Sequence, residues 1–515
     1  MVRGVHERGL LAWRGIPYAA PPVGNLRFAV PGAVVSWEGL RDASEFGAIA
    51  PQPLLKRLIR PPSIFVASDE DCLTVNVHAP TSEEGRTGPL PVMVFIHGGG
   101  YSAGSSRDFS GHGEGFVRSG RVVYVSFNYR LGALGYLDFT GYSTAERSFD
   151  SNLGLRDQVA LLRWVRDNIR GFGGDAENVT VFGESAGGNA VTTLMATPAA
   201  RGLFARAIAQ SSPPNAVYER AITSRWAEEY VEILRGVVAS SIGEPGDDGT
   251  GDPDEVNDRT PQQLLADAST SDLVAASVAL QVRVPDAYPG AFCFAPVVDG
   301  AFLPERPMRA FRDGRAHRVP LIIGTNDREG SIFRGRVDIL PRSQARIAAL
   351  FARAPVAARQ GMRDAYPGLP ARRRAAADFG GDYGFWYPST RVADFHSRHA
   401  PVWSYRFDVA PRLLELVGLD ATHGVEMFAL FDRADEPLAR VMTSFGGYEV
   451  YTAAGERMRT FWLRFAEGEV LAEEWPRYGE RARSTLVIDD EDHVEADPRR
   501  DRRRAWNRFI PSLAG

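Results

Sequence analysis

The feature that most restricts the fold of this chain is a regular alternation of strand-like and helix-like segments. Apolar, β-branched or aromatic runs closed by Gly, Asn or Asp recur along it, as in strands buried on both faces of a sheet. The clearest runs are residues 90–100, 120–130, 178–185, 318–327 and 400–408. Because helix-like segments lie between them, the sequence predicts an α/β fold, with a mostly parallel central sheet flanked by helices.

One helix is predicted between the second and third of these strands. Within residues 152–174, apolar side chains recur at helical spacing, at Leu155, Val159, Leu162, Val165 and Ile169. A glycine, Gly171, is expected to stop this helix. Strand, helix and strand together predict one βαβ unit.

The domain organisation is read from length and from the distribution of loops. A chain of 515 residues can form one large α/β domain or several smaller ones. It contains no internal repeat and no clean interdomain linker, so we expect a single domain over residues 1–515. Helical insertions are expected around 215–290 and 335–400, with helices outside the sheet over 342–378 as a candidate lid. Residues 241–265, rich in Gly, Asp and Pro, predict an exposed loop leading into a surface helix.

Composition argues against several classes of partner. The chain is 44% hydrophobic and 24% charged, with a formal net charge of -5. There is no basic excess to bind nucleic acid, and no run approaches the ~20 apolar residues that cross a bilayer. The N-terminal stretch lacks a secretory apolar region, and the two cysteines, Cys72 and Cys293, are far apart and in no metal-ligand spacing. We therefore expect no nucleic acid, membrane or metal partner, two buried free thiols and a cytoplasmic location.

A run of small residues directly after the strand 178–185 carries the first chemical signal. Residues 183–187, GESAG, fit G-x-S-x-G, the nucleophile elbow. Glycines permit the sharp, strained turn and leave room beside the serine. The sequence predicts Ser185 as a nucleophile at a helix N-terminus, where N–H groups favour a developing negative charge. Glu184 has two open roles: tuning the local field, or bonding to nearby backbone.

A glycine run after the strand 90–100 predicts donors for an oxyanion. Residues 97–100, HGGG, resemble the loops whose backbone N–H groups bind the oxyanion in esterases. We assign Gly99, Gly100 and Ala186 as the predicted oxyanion donors. A flexible turn is the alternative interpretation of the glycine run.

A serine nucleophile needs a base, and an acid to orient that base. In α/β-hydrolases the chain order is serine, acid, histidine. Asp327 and Glu329 follow the strand 318–327 and are rival acids.

Four histidines come after these acids, at His396, His399, His423 and His493. The first two are expected at the surface, and His493 in a solvated acidic loop. The third, His423, lies in a loop after the strand 400–408, where a catalytic histidine should lie. Spacing alone leaves the choice open.

A series of motifs, in order along most of the chain, resembles the type B carboxylesterases, the family that also contains the cholinesterases. The matching segments are WRGIPYAAPPVGNLRF (13–28), SDEDCLTVNVHAP (68–80), VMVFIHGGGY (92–101), FNYRLGALGYL (127–137), residues 152–188, FAPVVDGAFLP (294–304), GTNDREGSIF (324–333) and THGVEMFALF (422–431). The chain looks most like the bacterial subgroup related to para-nitrobenzyl esterases. The resemblance implies an α/β-hydrolase fold and a serine carboxylester hydrolase without a cofactor.

The resemblance also implies which acid and which histidine act. The acid is Glu329, because the family places a glutamate directly before the glycine at Gly330. The base is His423, because it stands in the family's His-Gly-x-Glu pattern with Glu426. Asp327 remains the alternative acid, since either carboxylate could orient an imidazole.

Departures from the family bear on compartment and substrate. Many secreted relatives pair the cysteine at Cys72 with one shortly upstream, but residues 47–53 contain none, which supports a reducing compartment. Cholinesterases use a tryptophan of the upstream loop for a quaternary ammonium group. Residues 53–66 lack one, so a choline site is not expected.

The acyl pocket is predicted from what precedes the PVVDG motif. Cholinesterases carry bulky side chains there, whereas this chain has Gly290, Ala291 and Phe292. We expect a roomier pocket lined by aromatic side chains, namely Phe292, Phe333 and Phe385 or Trp386. Core packing is the alternative role for each ring.

These observations predict a serine hydrolase that cleaves small to medium uncharged carboxylic esters through an acyl-enzyme. Its partner is then a small-molecule ester, and the chain is expected to be a monomer or a weak homo-oligomer. Two alternatives stay open: a carbamate, amide or lipid-ester hydrolase with the same triad, and a noncatalytic binding module.

Overall fold

A computed structural model describes residues 1–53, 67–81, 88–241, 253–333, 339–469, 471, 474–510 and 512. Two sequence predictions fall largely outside these ranges. The first is the expectation that residues 53–66 form no choline site. The second is the part of the predicted exposed loop at residues 242–252.

The strands of the described chain are β1 (Val2–Arg3), β2 (Val5–Glu7), β3 (Leu10–Pro17), β4 (Arg41–Asp42), β5 (Thr74–Pro80), β6 (Leu90–Ile96), β7 (Val123–Phe127), β8 (Gly174–Glu184), β9 (Arg206–Gln210), β10 (Tyr218–Glu219), β11 (Val297–Val298), β12 (Leu321–Asn326), β13 (Val402–Phe407), β14 (Ser484–Ile488) and β15 (His493–Ala496). All five strands predicted from the sequence are present, as β6, β7, β8, β12 and β13.

In the described ranges, eleven of these strands form one sheet in the order β15-β14-β13-β12-β9-β8-β6-β7-β5-β3-β2. Its centre, from β14 to β7, is parallel. Only the outer pairs, β15 with β14 and β5, β3 and β2 on the other side, are antiparallel. The predicted mostly parallel sheet is confirmed, and its parallel strands place their carboxyl ends along one edge.

The α-helices of the described chain are α1 (Glu114–Val117), α2 (Gly132–Tyr136), α3 (Leu153–Asn168), α4 (Ala186–Leu194), α5 (Arg220–Ser241), α6 (Pro253–Asp258), α7 (Pro261–Asp267), α8 (Thr270–Ala287), α9 (Pro307–Arg312), α10 (Gln344–Arg353), α11 (Val356–Ala365), α12 (Arg373–Gly381), α13 (Tyr387–His396), α14 (Arg412–Leu416), α15 (Met427–Leu430), α16 (Pro437–Met442), α17 (Tyr448–Glu467) and α18 (Arg500–Phe509).

The helix α3 is the one predicted between β7 and β8. It continues as a 3-10 turn, Ile169–Phe172, that ends at Gly173 with φ 82°, not at Gly171. Only glycine adopts this left-handed conformation without steric cost, so Gly173 is the residue that stops the helix.

Two apolar cores cover the two faces of the sheet, because successive residues of a strand point to opposite sides. Along β6, Val92 and Val94 pack into the larger core, with side chains of α3, α5 and α8. Met93 and Phe95 pack into the other core, with α15 and α17. This double covering explains why the strands are apolar along most of their length.

Both predicted insertion regions are helical where they are described. The first contains α5 to α8 and the second α10 to α13. Helices α10, α11 and α12 share a separate apolar cluster with α18 around Trp506. Among the helices of the described residues, none combines the length and apolar character that crossing a bilayer requires. Cys72 and Cys293 are buried and unbonded, as predicted.

Candidate active site

The turn between β8 and α4 places Ser185 at the carboxyl edge of the sheet. Its backbone has φ 59° and ψ -120°, a conformation that costs a non-glycine residue energy. A Cβ atom at Gly183 would lie 2.6 Å from the carbonyl oxygen of Ile96, and one at Gly187 would lie 2.0 Å from it. The two glycines are therefore needed because β6 passes directly against the turn.

The imidazole of His423 joins Ser185 to Glu329. Its Nε2 atom lies 2.8 Å from the Ser185 hydroxyl oxygen, and its Nδ1 atom lies 2.5 Å from Oε2 of Glu329. With the proton on Nδ1, the ring donates to Glu329 and accepts from the serine hydroxyl. The structure thus brings together Ser185, predicted as the nucleophile from its motif, with Glu329 and His423, which the family resemblance implies as acid and base.

The loops after β12 and β13 meet because the two strands are parallel neighbours. An isolated bridge pairs Arg328 with Thr422, and the Arg328 N–H donates to the Ala421 carbonyl at 2.9 Å. The residues that follow in each loop, Glu329 and His423, are therefore side by side. This contact explains the distance between two residues 94 positions apart.

Further hydrogen bonds hold the Glu329 carboxylate in place. Its Oε1 atom accepts from the Ser211 hydroxyl at 2.6 Å and from the Asn326 backbone N–H at 2.7 Å. The Asn326 side chain donates to the Thr422 carbonyl at 2.9 Å and to Glu426 at 2.6 Å. Sequence reasoning missed Ser211 and Asn326, although Asn326 lies in the GTNDREGSIF segment, directly before Asp327, where it could have been found.

Two more buried carboxylates surround the imidazole. Oε1 of Glu184 lies 3.2 Å from Nε2 of His423 but accepts no hydrogen bond from the described residues. Burial raises the pKa of Glu184 to about 8 and that of Glu426 to about 7. Burial disfavours the imidazolium, but the carboxylates of Glu184 and Glu329 outweigh it and raise the pKa of His423 to about 9. Of its two open roles, Glu184 has the position for the electrostatic one.

The predicted oxyanion donors lie on the loop after β6 and at the first residue of α4. Gly99 and Gly100 have φ 104° and 63°, in the left-handed region that favours glycine. Within the described residues, the N–H groups of Gly99, Gly100 and Ala186 donate to no backbone carbonyl. Three backbone donors near a helix N-terminus can stabilise a developing oxyanion.

Asp327, the rival acid, lies in a different environment. It pairs with Arg499, and Arg406 is 3.9 Å away. Burial alone would raise the pKa of Asp327, but the two guanidinium groups hold it below its usual value. This carboxylate is occupied by arginines, whereas Glu329 contacts the imidazole.

Aromatic rings pack against the imidazole on one side. The ring centroid of Phe385 lies 4.5 Å from that of His423, and the ring centroid of Phe333 lies 5.2 Å from it. Phe292 packs against Phe333 and Phe385. Trp386 belongs instead to the cluster around Trp506. Phe385 and Trp386 are neighbours in a π-helical turn, Asp382–Trp386, and of these two alternatives Phe385 is the one whose ring contacts His423.

The other histidines do not enter the site. His396 was expected at the surface, and this expectation is wrong: it is buried in α13, with Nε2 2.8 Å from the Val319 carbonyl, to which it donates. Its helix packs against α9, where Phe311 meets the ring edge-on at 5.4 Å. His399 is half-buried and His493 is exposed. In the described ranges, no group of three or more His, Cys, Asp or Glu side chains has the arrangement of a metal site.

A parallel sheet covered by helices, with a serine on a strained strand-to-helix turn and a histidine between serine and glutamate, defines the class of α/β-hydrolases. A family model described as the carboxylesterase family matches residues 1–506. The para-nitrobenzyl esterase of Bacillus subtilis (strain 168) is 34% identical over 509 residues, 98% of this chain and 96% of that protein. The phenmedipham hydrolase of Pseudarthrobacter oxydans is 31% identical over 95% of this chain and 93% of its own length.

Solved structures agree with these sequence comparisons. A thermophilic PNB esterase superposes with a TM-score of 0.82 at 32% identity, covering 98% of this chain and 97% of the other. A Geobacillus stearothermophilus carboxylesterase superposes with a TM-score of 0.79 at 30% identity, covering 98% of both chains. The chain belongs to the carboxylesterase family. It is a hydrolase of carboxylic esters, as the sequence predicted.

Proposed function

We propose that the chain hydrolyses small to medium uncharged carboxylic esters through an acyl-enzyme on Ser185. In the first half-reaction, Nε2 of His423 takes the hydroxyl proton as the serine oxygen attacks the ester carbonyl. The imidazolium then protonates the departing alcohol. Water repeats the cycle on the acyl-enzyme and releases the acid.

The observation that carries this proposal is the position of His423. One ring nitrogen is within 2.8 Å of a serine hydroxyl and the other within 2.5 Å of a carboxylate. This arrangement supports proton transfer at Nε2, while the side chain of Glu329 stabilises the imidazolium. The backbone N–H groups of Gly99, Gly100 and Ala186 are proposed to bind the oxyanion.

The substrate class is inferred from the surroundings of the imidazole. Phe333 and Phe385 are ring neighbours of His423, and Phe292 packs against them. An apolar, aromatic wall suits an uncharged acyl chain better than a charged one. Phenmedipham, the compound that gives one relative its name, is a second test substrate. It tests the alternative that the same triad acts on substrates other than simple esters.

The decisive experiment combines turnover with covalent labelling. Wild type should hydrolyse para-nitrophenyl butyrate, and a fluorophosphonate should label one residue per chain, identified as Ser185 by mass spectrometry. Ser185→Ala should lose the label and lower kcat by on the order of a thousandfold or more. Ser240→Ala, a change at an exposed position of α5, is the matched control and should keep both. Turnover or single-site labelling that survives in Ser185→Ala would contradict the proposal.

Two sequence predictions about the whole molecule stay predictions. The two buried, unbonded thiols fit a reducing compartment, which supports a cytoplasmic location. A monomer or weak homo-oligomer is proposed on the sequence alone, and light scattering would test it.

A further inference from the structure

The loop that carries two of the proposed oxyanion donors has a flexible sequence. Gly99, Gly100 and Gly104 have φ of 104°, 63° and 106°. Glycine loses more conformational freedom on folding than any other residue. Contacts from outside the loop are therefore needed to hold its N–H groups in one direction.

The direction of the Gly100 N–H is set by the carbonyl of Gly99, because the two groups belong to one planar trans peptide and point in opposite directions. That carbonyl accepts from the N–H groups of Ser102 and Ala103, both at 3.1 Å, and from the Ser102 hydroxyl at 3.3 Å. Whatever fixes the backbone at Ala103 therefore also fixes the Gly100 donor.

Gln52, from a segment far away in the chain, binds the residue directly after Ala103. Its Oε1 atom accepts from the Gly104 N–H at 2.9 Å, and its Nε2 atom donates to the Gly104 carbonyl at 3.0 Å. Nε2 also donates to the Ala50 carbonyl at 3.0 Å, which holds the amide in this orientation. One side chain thus pairs both backbone groups of one loop residue, as a neighbouring strand would.

Gly104 in turn packs against the beginning of the loop. A Cβ atom at this position would lie 2.5 Å from the Gly98 carbonyl oxygen and 2.6 Å from Nδ1 of His97. The same Gly98 carbonyl accepts from Nδ1 of His97 at 2.9 Å, and by peptide planarity it orients the Gly99 N–H. Holding Gly104 in place therefore restrains both ends of the loop.

From these contacts we propose that Gln52 is a positioning residue for the oxyanion hole. It does not touch the reacting atoms; it acts through Gly104 on the peptide groups of Gly99 and Gly100. This inference rests on the proposed function, because it assumes that these N–H groups bind the oxyanion. A glutamine is suited to the task because its amide both donates and accepts.

The test is the Gln52→Leu variant, which keeps a similar size and removes all three hydrogen bonds. Active sites are counted by complete fluorophosphonate labelling, so that unfolded protein does not enter kcat. We expect kcat for para-nitrophenyl butyrate to fall about tenfold, a fraction of the effect of losing a whole oxyanion donor. The KM should stay within about twofold, while the inhibition constant of a trifluoromethyl ketone, which forms an oxyanion on the serine, should rise about tenfold.

The matched control is Gln262→Leu. The Gln262 amide also donates to a loop backbone carbonyl, that of Arg147 at 3.0 Å, and to the Thr144 hydroxyl at 2.9 Å, but neither group belongs to the loop after β6. Its kcat and inhibitor affinity should match wild type. If Gln52→Leu does not fold, Gln52→Glu is measured instead, because it keeps the acceptor for the Gly104 N–H and loses the donors.

The two proposals fail in different ways. Wild-type kcat and inhibitor affinity in the folded Gln52 variants would overturn the positioning role and leave Ser185 catalysis standing. Equal losses in Gln52→Leu and Gln262→Leu would also overturn it, since a general effect of removing a glutamine amide, and not the pairing with Gly104, would then account for them. Turnover in Ser185→Ala would instead show that the proposed function itself is wrong.

Discussion

Nδ1 of His423 lies 2.5 Å from a carboxylate oxygen of Glu329, whereas Asp327, only two residues earlier, pairs with Arg499. We predict that Glu329→Gln lowers kcat by on the order of a hundredfold to ten thousandfold, because a neutral amide does not stabilise the imidazolium. Asp327→Asn is the matched control, and its kcat per labelled active site should stay close to wild type. The opposite ranking of the two variants in ester turnover would refute the assignment of the acid.

The pH profile should respond to Glu184, whose carboxylate lies 3.2 Å from Nε2 of His423. An anionic neighbour favours the imidazolium and raises the pKa of His423, whereas catalysis needs the neutral ring. Glu184→Gln removes this charge, so the pKa should fall and the variant should stay active to lower pH, by about one pH unit. The measurement is kcat/KM against pH beside wild type; an acidic limb that does not move, or moves to higher pH, would refute the electrostatic role.

Acyl-chain preference should follow the aromatic wall beside His423. Wild type should hydrolyse para-nitrophenyl hexanoate with a kcat/KM at least equal to that for the acetate. Phe292→Trp should lower the hexanoate rate more than the acetate rate, because the larger ring fills space next to Phe333 and Phe385. Trp386→Phe is the control, since this side chain packs in another cluster and should leave the ratio unchanged. A strong acetate preference in wild type would count against the roomy pocket.

Acid should destabilise the fold partly through His78. This side chain is buried in β5 with neither ring nitrogen hydrogen-bonded within the described residues, and burial, aided by Arg14, lowers its pKa to about 3. The unfolded chain binds the proton near the ordinary pKa of 6.5, so stability falls as pH drops from there toward the folded value.

This group should cost about 2 kcal/mol of unfolding free energy at about pH 5. The free energy of urea unfolding is measured near pH 7 and near pH 5 for wild type and for His78→Leu. Between these two pH values it should fall less in the variant than in wild type, by the contribution of this histidine. His6→Leu, at an exposed position of β2, should behave as wild type. An unchanged pH dependence in His78→Leu would mean that the histidine is not held neutral by the fold.

Features that depend on sterics and periodicity could be predicted from the amino-acid sequence alone. Buried parallel strands are apolar throughout, so their runs predicted the sheet. Strand β6 lies directly behind Ser185 and leaves no room for a Cβ atom at Gly183 or Gly187. The turn therefore requires glycines at both positions, which is why the G-x-S-x-G pattern predicted it. The choice of Glu329 and His423 needed the family resemblance, because spacing alone left two acids and four histidines.

Contacts between residues far apart in the chain could be seen only once the fold was known. Pairing of β12 with β13 brings the loops with Glu329 and His423 together, and packing of α13 buries His396. Phe385 contacts His423 while the adjacent Trp386 packs around Trp506, and Gln52 pairs with Gly104 across 52 residues. Such contacts depend on strand register and on how helices pack over the sheet, which no single segment encodes.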